Sequence, residues 1–144
     1  MLLDIFKQRP KPIDRARVDG DTVVYAIGDI HGSANALRQL HARIADDAAQ
    51  RGADRRVLVH LGDYIDRGAG VRDVLDRLVD ADMPGFDVIN LQGNHDAWFL
   101  HFLEDPEAGP DWVANGGEAT LLSYGVSPRS DLPTAERMAD NSEK

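Results

Sequence analysis

Three short apolar runs alternate along the chain with three longer segments in which apolar residues recur every three to four positions. The runs predict strands over 22–27, 56–61 and 86–91, because they are rich in apolar and β-branched side chains. The spacing in the longer segments predicts helices. The first helix follows Ser33 and stops at Gly52, the second carries Val71 to Val79 and ends at Met83-Pro84-Gly85, and the third carries Trp98 to Leu103 and ends at Pro106 and Gly109. This alternation indicates a parallel α/β sheet with right-handed crossovers and helices on its faces.

The two ends of the chain depart from this pattern. Residues 1–20 carry five basic side chains and two prolines, which predicts an extended basic arm. After Gly109 the pattern loosens, with a short helix predicted from Glu118 to Tyr124 and room for another near Thr134. We therefore assign residues 21–144 to one domain that follows the arm.

Composition narrows the class of protein. The chain has 144 residues, a formal net charge of -9 and no cysteine. The acidic balance argues against nucleic-acid binding, although bound cations can still bring a phosphorylated substrate to an acidic protein. The lack of cysteine excludes disulfides and thiolate nucleophiles. No apolar run approaches the roughly 18 residues of a membrane span, so we expect a cytoplasmic protein without a membrane partner. Nothing in the sequence predicts its oligomeric state.

Each predicted strand ends in a glycine that is followed by a polar cluster. The clusters are Gly-Asp-Ile-His-Gly at 28–32, Gly-Asp-Tyr-Ile-Asp-Arg-Gly at 62–68 and Gly-Asn-His-Asp at 93–96. Because the carboxyl ends of parallel strands meet at one edge of a sheet, we expect the clusters to meet in space.

Four of these side chains suit divalent cations. Asp29 and His31 offer an oxygen and an imidazole nitrogen, which together favour manganese, iron, zinc or cobalt. Asp63 can bridge two ions, and Asn94 can supply a neutral carbonyl oxygen to the second. Two such ions can polarise a phosphate and lower the pKa of water towards about 7.

Three more side chains suit the remaining steps of phosphate chemistry. His95 can give a proton to a leaving oxygen, and Asp66 can hold its imidazole in place. Arg67, together with Asn94, can grip the non-bridging phosphate oxygens.

The three clusters, in this order, resemble the motifs of the calcineurin-like metallophosphoesterases, and within them the bacterial type of the phosphoprotein phosphatase branch. The resemblance implies the N-terminal part of an α/β/β/α sandwich and hydrolysis of phosphate esters by metal-activated hydroxide without a covalent intermediate. It implies that Asp29, His31 and Asp63 bind the first metal and that Asp63 and Asn94 bind the second.

The same resemblance assigns His95 as the catalytic histidine, Asp66 as its partner and Arg67 as a phosphate-binding arginine. It implies a phosphorylated protein, a nucleotide or a small phosphoester as substrate. A serine/threonine protein phosphatase is the first expectation. Asp96 stands where protein phosphatases typically have glutamate and dinucleotide tetraphosphate hydrolases have aspartate, so a symmetrical dinucleoside-tetraphosphate hydrolase is the alternative.

The second metal site is short of ligands. The family takes two further histidines from the second half of its domain, and no histidine follows His101 here. We therefore expect that the chain lacks the second half of the domain and binds one metal well and the second poorly. A non-catalytic metal-binding remnant is a further alternative. We expect no functional site at the other histidines. His41 is expected to be half-exposed on the first helix, and His60 is expected to lie in the second strand.

The segment from Trp112 to Gly125 looks like the corresponding stretch of bacterial serine/threonine phosphatases or diadenosine-tetraphosphate hydrolases. An equally good interpretation is that this segment only packs Trp112 and Tyr124 onto the sheet.

Overall fold

All three predicted strands form one parallel sheet. The structure is a computed structural model that describes residues 18, 20–80 and 83–127. Strands β1 (Thr22–Ile27), β2 (Arg55–His60) and β3 (Asp87–Asn90) lie in the order β1-β2-β3. Strand β2 lies one residue before its predicted range, and β3 is one residue shorter than predicted at each end. The regular pairing of these two strands ends at His60 and Asn90.

Three helices follow the three strands. They are α1 (Ala34–Arg51), α2 (Val71–Val79) and α3 (Asn94–Glu104). The first begins after Ser33, although the Ser33 side chain makes no capping hydrogen bond. It ends at Gly52, whose φ of 65° is a left-handed conformation that glycine adopts at little cost. The predicted α/β fold class is confirmed.

Helices α1 and α2 pack on the same face of the sheet. The buried core there combines Leu37 and Ile44 of α1, Leu58 of β2, and Val71 and Val74 of α2. Right-handed crossovers that step through the sheet in one direction place successive helices on one side. The carboxyl ends of the strands are left open above this layer.

The opposite face of the sheet is apolar and partly open. Val24, Leu61, Ile89 and Leu91 lie on it with exposed fractions of 45–49%. A single row across the strands joins Ala26, Val59 and Ile89.

The segment after α3 is helical, and the prediction of a loosened chain from Gly109 was wrong. A 3₁₀ turn (Pro106–Ala108) leads into α4 (Gly109–Trp112), a π-helical turn (Val113–Gly117) and α5 (Glu118–Ser123). Phe102, Trp112, Leu121 and Val126 form a second core there. The helix predicted from Glu118 to Tyr124 is thus the end of a longer helical stretch.

Within the described ranges, no helix combines the length and the apolar character needed to cross a membrane. The basic arm, apart from residues 18 and 20, and the helix predicted near Thr134 lie outside the described residues.

Candidate active site

Backbone contacts join the turns after the three strands. The amides of Ile30 and His31 both donate to the Asp63 carbonyl, at 3.0 and 2.9 Å. A Cβ atom on Gly62 would overlap the backbone of Gly93, and one on Gly93 would overlap Asp63. The clusters therefore meet at the carboxyl edge of the sheet, and the glycines allow a contact that side chains would prevent.

Four residues of these turns have left-handed backbones. The positive φ angles are 42° at His31, 53° at Asp63, 70° at Asp66 and 66° at Arg67, and no other non-glycine residue of the described ranges has one. Each such residue costs about 1–3 kcal/mol, and such residues concentrate at functional sites. In the described chain, the unfavourable backbone conformations of non-glycine residues therefore lie in the turns that carry the predicted metal ligands and catalytic residues.

Three of the predicted ligands form one group. One potential ligand atom from each of Asp29, His31 and Asp63 lies within 4.8 Å of the other two. His31 Nδ1 lies 2.7 Å from the Ile65 carbonyl, so Nδ1 carries the proton and Nε2 presents its lone pair. A histidine ligand is usually held by such a second hydrogen bond, and the donor set suits a divalent transition metal.

Arg67 places a positive charge in this group. Its Nη1 donates to His31 Nε2 at 2.9 Å, and its Nη2 donates to His95 Nε2 at 3.0 Å. The guanidinium therefore occupies the lone pairs of both imidazoles, as a cation bound between them would. The donors fit a cation, and Arg67 must leave His31 before a metal can bind that nitrogen.

His95 and Asp66 form a buried pair. His95 Nδ1 lies 2.7 Å from Asp66 Oδ2, and the two residues are 4% and 0% exposed. Because Nδ1 faces a carboxylate, it carries the proton, and Nε2 faces the open site. The predicted pairing is present; the catalytic role assigned to it stays a prediction.

Asn94 begins α3 beside this pair. Its side chain is exposed and makes no hydrogen bond to another described residue. The next amide, that of His95, donates to Asp63 Oδ1 at 2.9 Å, so the start of α3 rests on the Asp63 carboxylate.

Asp96 has a local role that its sequence pattern did not indicate. Its carboxylate accepts hydrogen bonds from the amides of Asp63 (2.8 Å), Tyr64 (3.0 Å) and Gly93 (2.8 Å). These contacts fix the second turn against the third. These contacts explain why a carboxylate stands at this position, without reference to the substrate.

Tyr64 is part of the framework of the site. Its hydroxyl donates to the Leu91 carbonyl at 2.5 Å, and the residue is 9% exposed. Burial, and then the neighbouring Asp96 carboxylate, raise the pKa of Tyr64 to about 12. The phenol stays protonated at neutral pH and joins the second turn to the end of β3.

The other histidines lie away from the group. His41 is 3% exposed, so the expectation of a half-exposed side chain was wrong; its Nε2 lies 3.0 Å from His60 Nε2 in the core. Packing of α1 against the sheet buries the pair. His101 is exposed on α3.

Two residues that contact Asp66 were missed as site residues. Trp112 Nε1 donates to Asp66 Oδ2 at 2.9 Å, and Thr120 Oγ1 donates to Asp66 Oδ1 at 2.6 Å. Trp112 is fully buried against Phe102 in the second core, and Tyr124 is 48% exposed beside Arg72 of α2, so neither residue belongs to the core that packs on the sheet. The sequence signal near these residues is the Asn-Gly-Gly pattern at 115–117, which lies between them and does not by itself indicate a contact with Asp66.

A comparison with family profiles identifies the family of the chain. The profile of the calcineurin-like phosphoesterases matches residues 22–137, and the chain belongs to this family. Searches of curated proteins and of solved structures returned no significant match. The three-stranded parallel sheet with its helices is consistent with the N-terminal part of a metallophosphoesterase fold. Membership identifies the general class as metal-dependent phosphoesterases, which are hydrolases that use divalent metals.

Proposed function

We propose that the chain hydrolyses phosphate monoesters with divalent cations, by the type of reaction that serine/threonine protein phosphatases carry out. One observation carries the proposal. A metal-ligand group, a buried histidine-aspartate pair and an arginine lie together on turns that hold every left-handed non-glycine residue of the described ranges.

In this proposal, Asp29, His31 and Asp63 hold the first cation, and Asp63 and Asn94 contribute to the second. The cations would supply Lewis-acid chemistry, which neutralises charge on phosphoryl oxygens and lowers the pKa of water. Manganese is the first metal to test, since imidazole and carboxylate ligands suit it.

The protein's own side chains would perform the other steps. His95 would hold a proton on Nε2, which faces the open site, and pass it to the leaving oxygen. Asp66 would orient the ring through Nδ1 and stabilise its charged form. Arg67 would leave the two imidazoles and bind non-bridging phosphoryl oxygens with its planar fork of donors.

The test is manganese-dependent release of nitrophenol from p-nitrophenyl phosphate by the full chain. Asp63→Asn and His95→Asn should each lower kcat/KM by at least about a hundredfold, the usual scale for a lost catalytic group. The matched controls are Asp76→Asn on α2 and His101→Asn on α3, which change exposed residues of the same types.

The substrate is tested beside it with a phosphoserine peptide and diadenosine tetraphosphate. Preference for the peptide supports the protein-phosphatase proposal, whereas preference for the dinucleotide would replace it. A folded, manganese-loaded chain that hydrolyses none of the three compounds would leave the non-catalytic alternative.

A further inference from the structure

The helical segment from Trp112 to Thr120 encloses the Asp66-Arg67 turn. We propose that Trp112 and Thr120 are positioning residues, which fix the Asp66 carboxylate so that His95 presents Nε2 to the site. The inference rests on the proposed function, since it concerns the histidine that would deliver the proton.

Hydrogen bonds to Asp66 are the first observation. Asp66 Oδ2 accepts from His95 Nδ1 at 2.7 Å and from Trp112 Nε1 at 2.9 Å, while Oδ1 accepts from Thr120 at 2.6 Å. Three donors therefore face a fully buried carboxylate. A buried carboxylate that is this fully hydrogen-bonded has little freedom to rotate or to leave its partner.

Thr120 uses both functions of its hydroxyl. It donates to the Asp66 carboxylate and accepts from the Asp66 backbone amide at 3.0 Å. Both the side chain and the backbone of Asp66 are thereby fixed by one residue. These bonds matter because Asp66 has a φ of 70°, a left-handed backbone conformation that is intrinsically unfavourable for this residue.

The two glycines between Trp112 and Thr120 fit the same arrangement. Gly116 has a φ of 111°, and its carbonyl accepts from the Arg67 amide at 3.0 Å. A Cβ atom on Gly116 would press on the Arg67 side chain, and one on Gly117 would overlap the Trp112 ring. The Asn-Gly-Gly pattern therefore lets the segment lie directly against the turn.

Packing alone does not account for these contacts. A tryptophan that only fills the core needs no donor aimed at a particular carboxylate oxygen, and a buried threonine can bond to its own helix. Here both polar atoms point to the residue that holds His95. The segment therefore positions His95 by acting through Asp66.

The experiment follows the ring of His95 in the full chain by NMR, without metal. Thr120→Val removes the hydroxyl donor and keeps the shape of the side chain, and Trp112→Phe removes the indole donor and leaves a smaller aromatic ring. We expect the His95 Nδ1 proton to exchange with solvent at least about tenfold faster in both variants, because the ring loses its fixed partner. Thr120→Ser should restore wild-type exchange, and Leu121→Val, which alters the same core without contacting Asp66, should leave it unchanged.

A second measurement compares two substrates on the manganese-loaded chain. Phenyl phosphate has a poor leaving group that needs a proton, and 2,4-dinitrophenyl phosphate has a good one. In Thr120→Val, kcat/KM for phenyl phosphate should fall by about tenfold relative to that for the dinitrophenyl ester.

Two outcomes separate the inference from the proposed function. Folded Thr120→Val and Trp112→Phe proteins with wild-type His95 exchange, or with no more change than Leu121→Val, would overturn the inference. Failure of the wild-type chain to hydrolyse either ester would overturn the proposed function, while the exchange measurement would still decide whether the segment positions His95.

Discussion

The candidate active site is built from a few residues with unusual backbone angles. His31, Asp63, Asp66 and Arg67 are left-handed, and each contacts another member of the site or lies within a few residues of one. Neighbouring turns and the helical segment after α3 supply the hydrogen bonds that offset this cost. The site is thus fixed by its surroundings, since the intrinsic preferences of these residues would not keep it in place.

Arg67 should compete with a metal for His31. Arg67→Ala removes a positive charge that now lies 2.9 Å from His31 Nε2, so we expect manganese to bind at least about tenfold more tightly. The same change should lower turnover, because it removes the side chain that we propose to bind the phosphoryl oxygens. Isothermal titration calorimetry measures the affinity, and Arg72→Ala on α2 is the control. Equal affinity in the wild type and Arg67→Ala would show that the guanidinium does not occupy the metal position.

The described chain should bind one divalent ion tightly. Only three side chains of the described ranges form a group that can hold a metal, so we expect one tightly bound manganese per chain. His31→Gln should weaken it by at least about tenfold, because metal sites lose this much when a ligand or its support changes. His101→Asn should have no effect. Two ions bound with equal micromolar affinity would contradict this assignment.

At the scale of the elements, a chain of hydrogen bonds joins α2, α1, β2 and β3 under the site. Arg77 Nε donates to His41 Nδ1 at 3.1 Å, and His60 Nδ1 lies 2.7 Å from Asn90 Oδ1. The Nε2 atoms of His41 and His60 are 3.0 Å apart. Because His41 accepts from Arg77 on Nδ1, it carries its proton on Nε2 and donates to His60, which in turn donates from Nδ1 to Asn90. An added proton would place two donors face to face.

Stability should therefore fall at mildly acidic pH. Burial lowers the pKa of His60 below its ordinary 6.5, so the unfolded chain binds this proton more readily than the folded one. The contribution of neutral His60 to the free energy of unfolding is complete above about pH 6.5. It is lost as the pH falls towards the pKa of His60 in the folded state, by at most about 1.4 kcal/mol per pH unit. Urea denaturation at pH 7, 6 and 5 measures this loss.

His60→Gln removes the titrating ring, and its free energy of unfolding should change less with pH over this range. The exposed His101→Asn is the control and should follow the wild type. If wild type and His60→Gln lose stability in parallel, other groups cause the acid sensitivity.

The regular elements could be predicted because their signals are local. The apolar run at 22–27 predicted β1 with the bounds that the structure shows, and Gly52 marked the end of α1. The helical turns between Pro106 and Gly117 were missed because Gly109, Pro110, Gly116 and Gly117 are read as breakers, whereas here Pro110 lies in a first helical turn and Gly116 in a kink.

The meeting of the three clusters, the metal-ligand group and the His95-Asp66 pair could be predicted from the sequence, and the contacts around them could not. Parallel strands bring their carboxyl ends together, so the meeting of these turns follows from the fold class. The contacts of Trp112 and Thr120 with Asp66 span 46 and 54 residues, and no local pattern encodes them. The position of Arg67 between two imidazoles depends on backbone angles that an arginine rarely adopts.

At the scale of the whole molecule, the sheet separates two unlike surfaces. Its helix side is a packed core that includes Leu58 and Val74, both fully buried. Its other side presents an apolar face, in which Val24, Leu61, Ile89 and Leu91 keep nearly half of their surface in contact with water. A contiguous face of this kind differs from scattered exposed apolar residues, which are common on protein surfaces.

This face should bind the dye anilinonaphthalene sulfonate, which fluoresces on apolar surfaces. We expect the double change Val24→Thr and Ile89→Thr to lower the fluorescence of the folded chain by about half, since threonine suits a strand but is polar. Val79→Thr is a strict control, because Val79 is 83% exposed on α2 and lies off this face. If the control lowers fluorescence as much as the double change, single exposed side chains account for dye binding. A reduction confined to the double variant identifies the continuous sheet face as the surface that binds the dye.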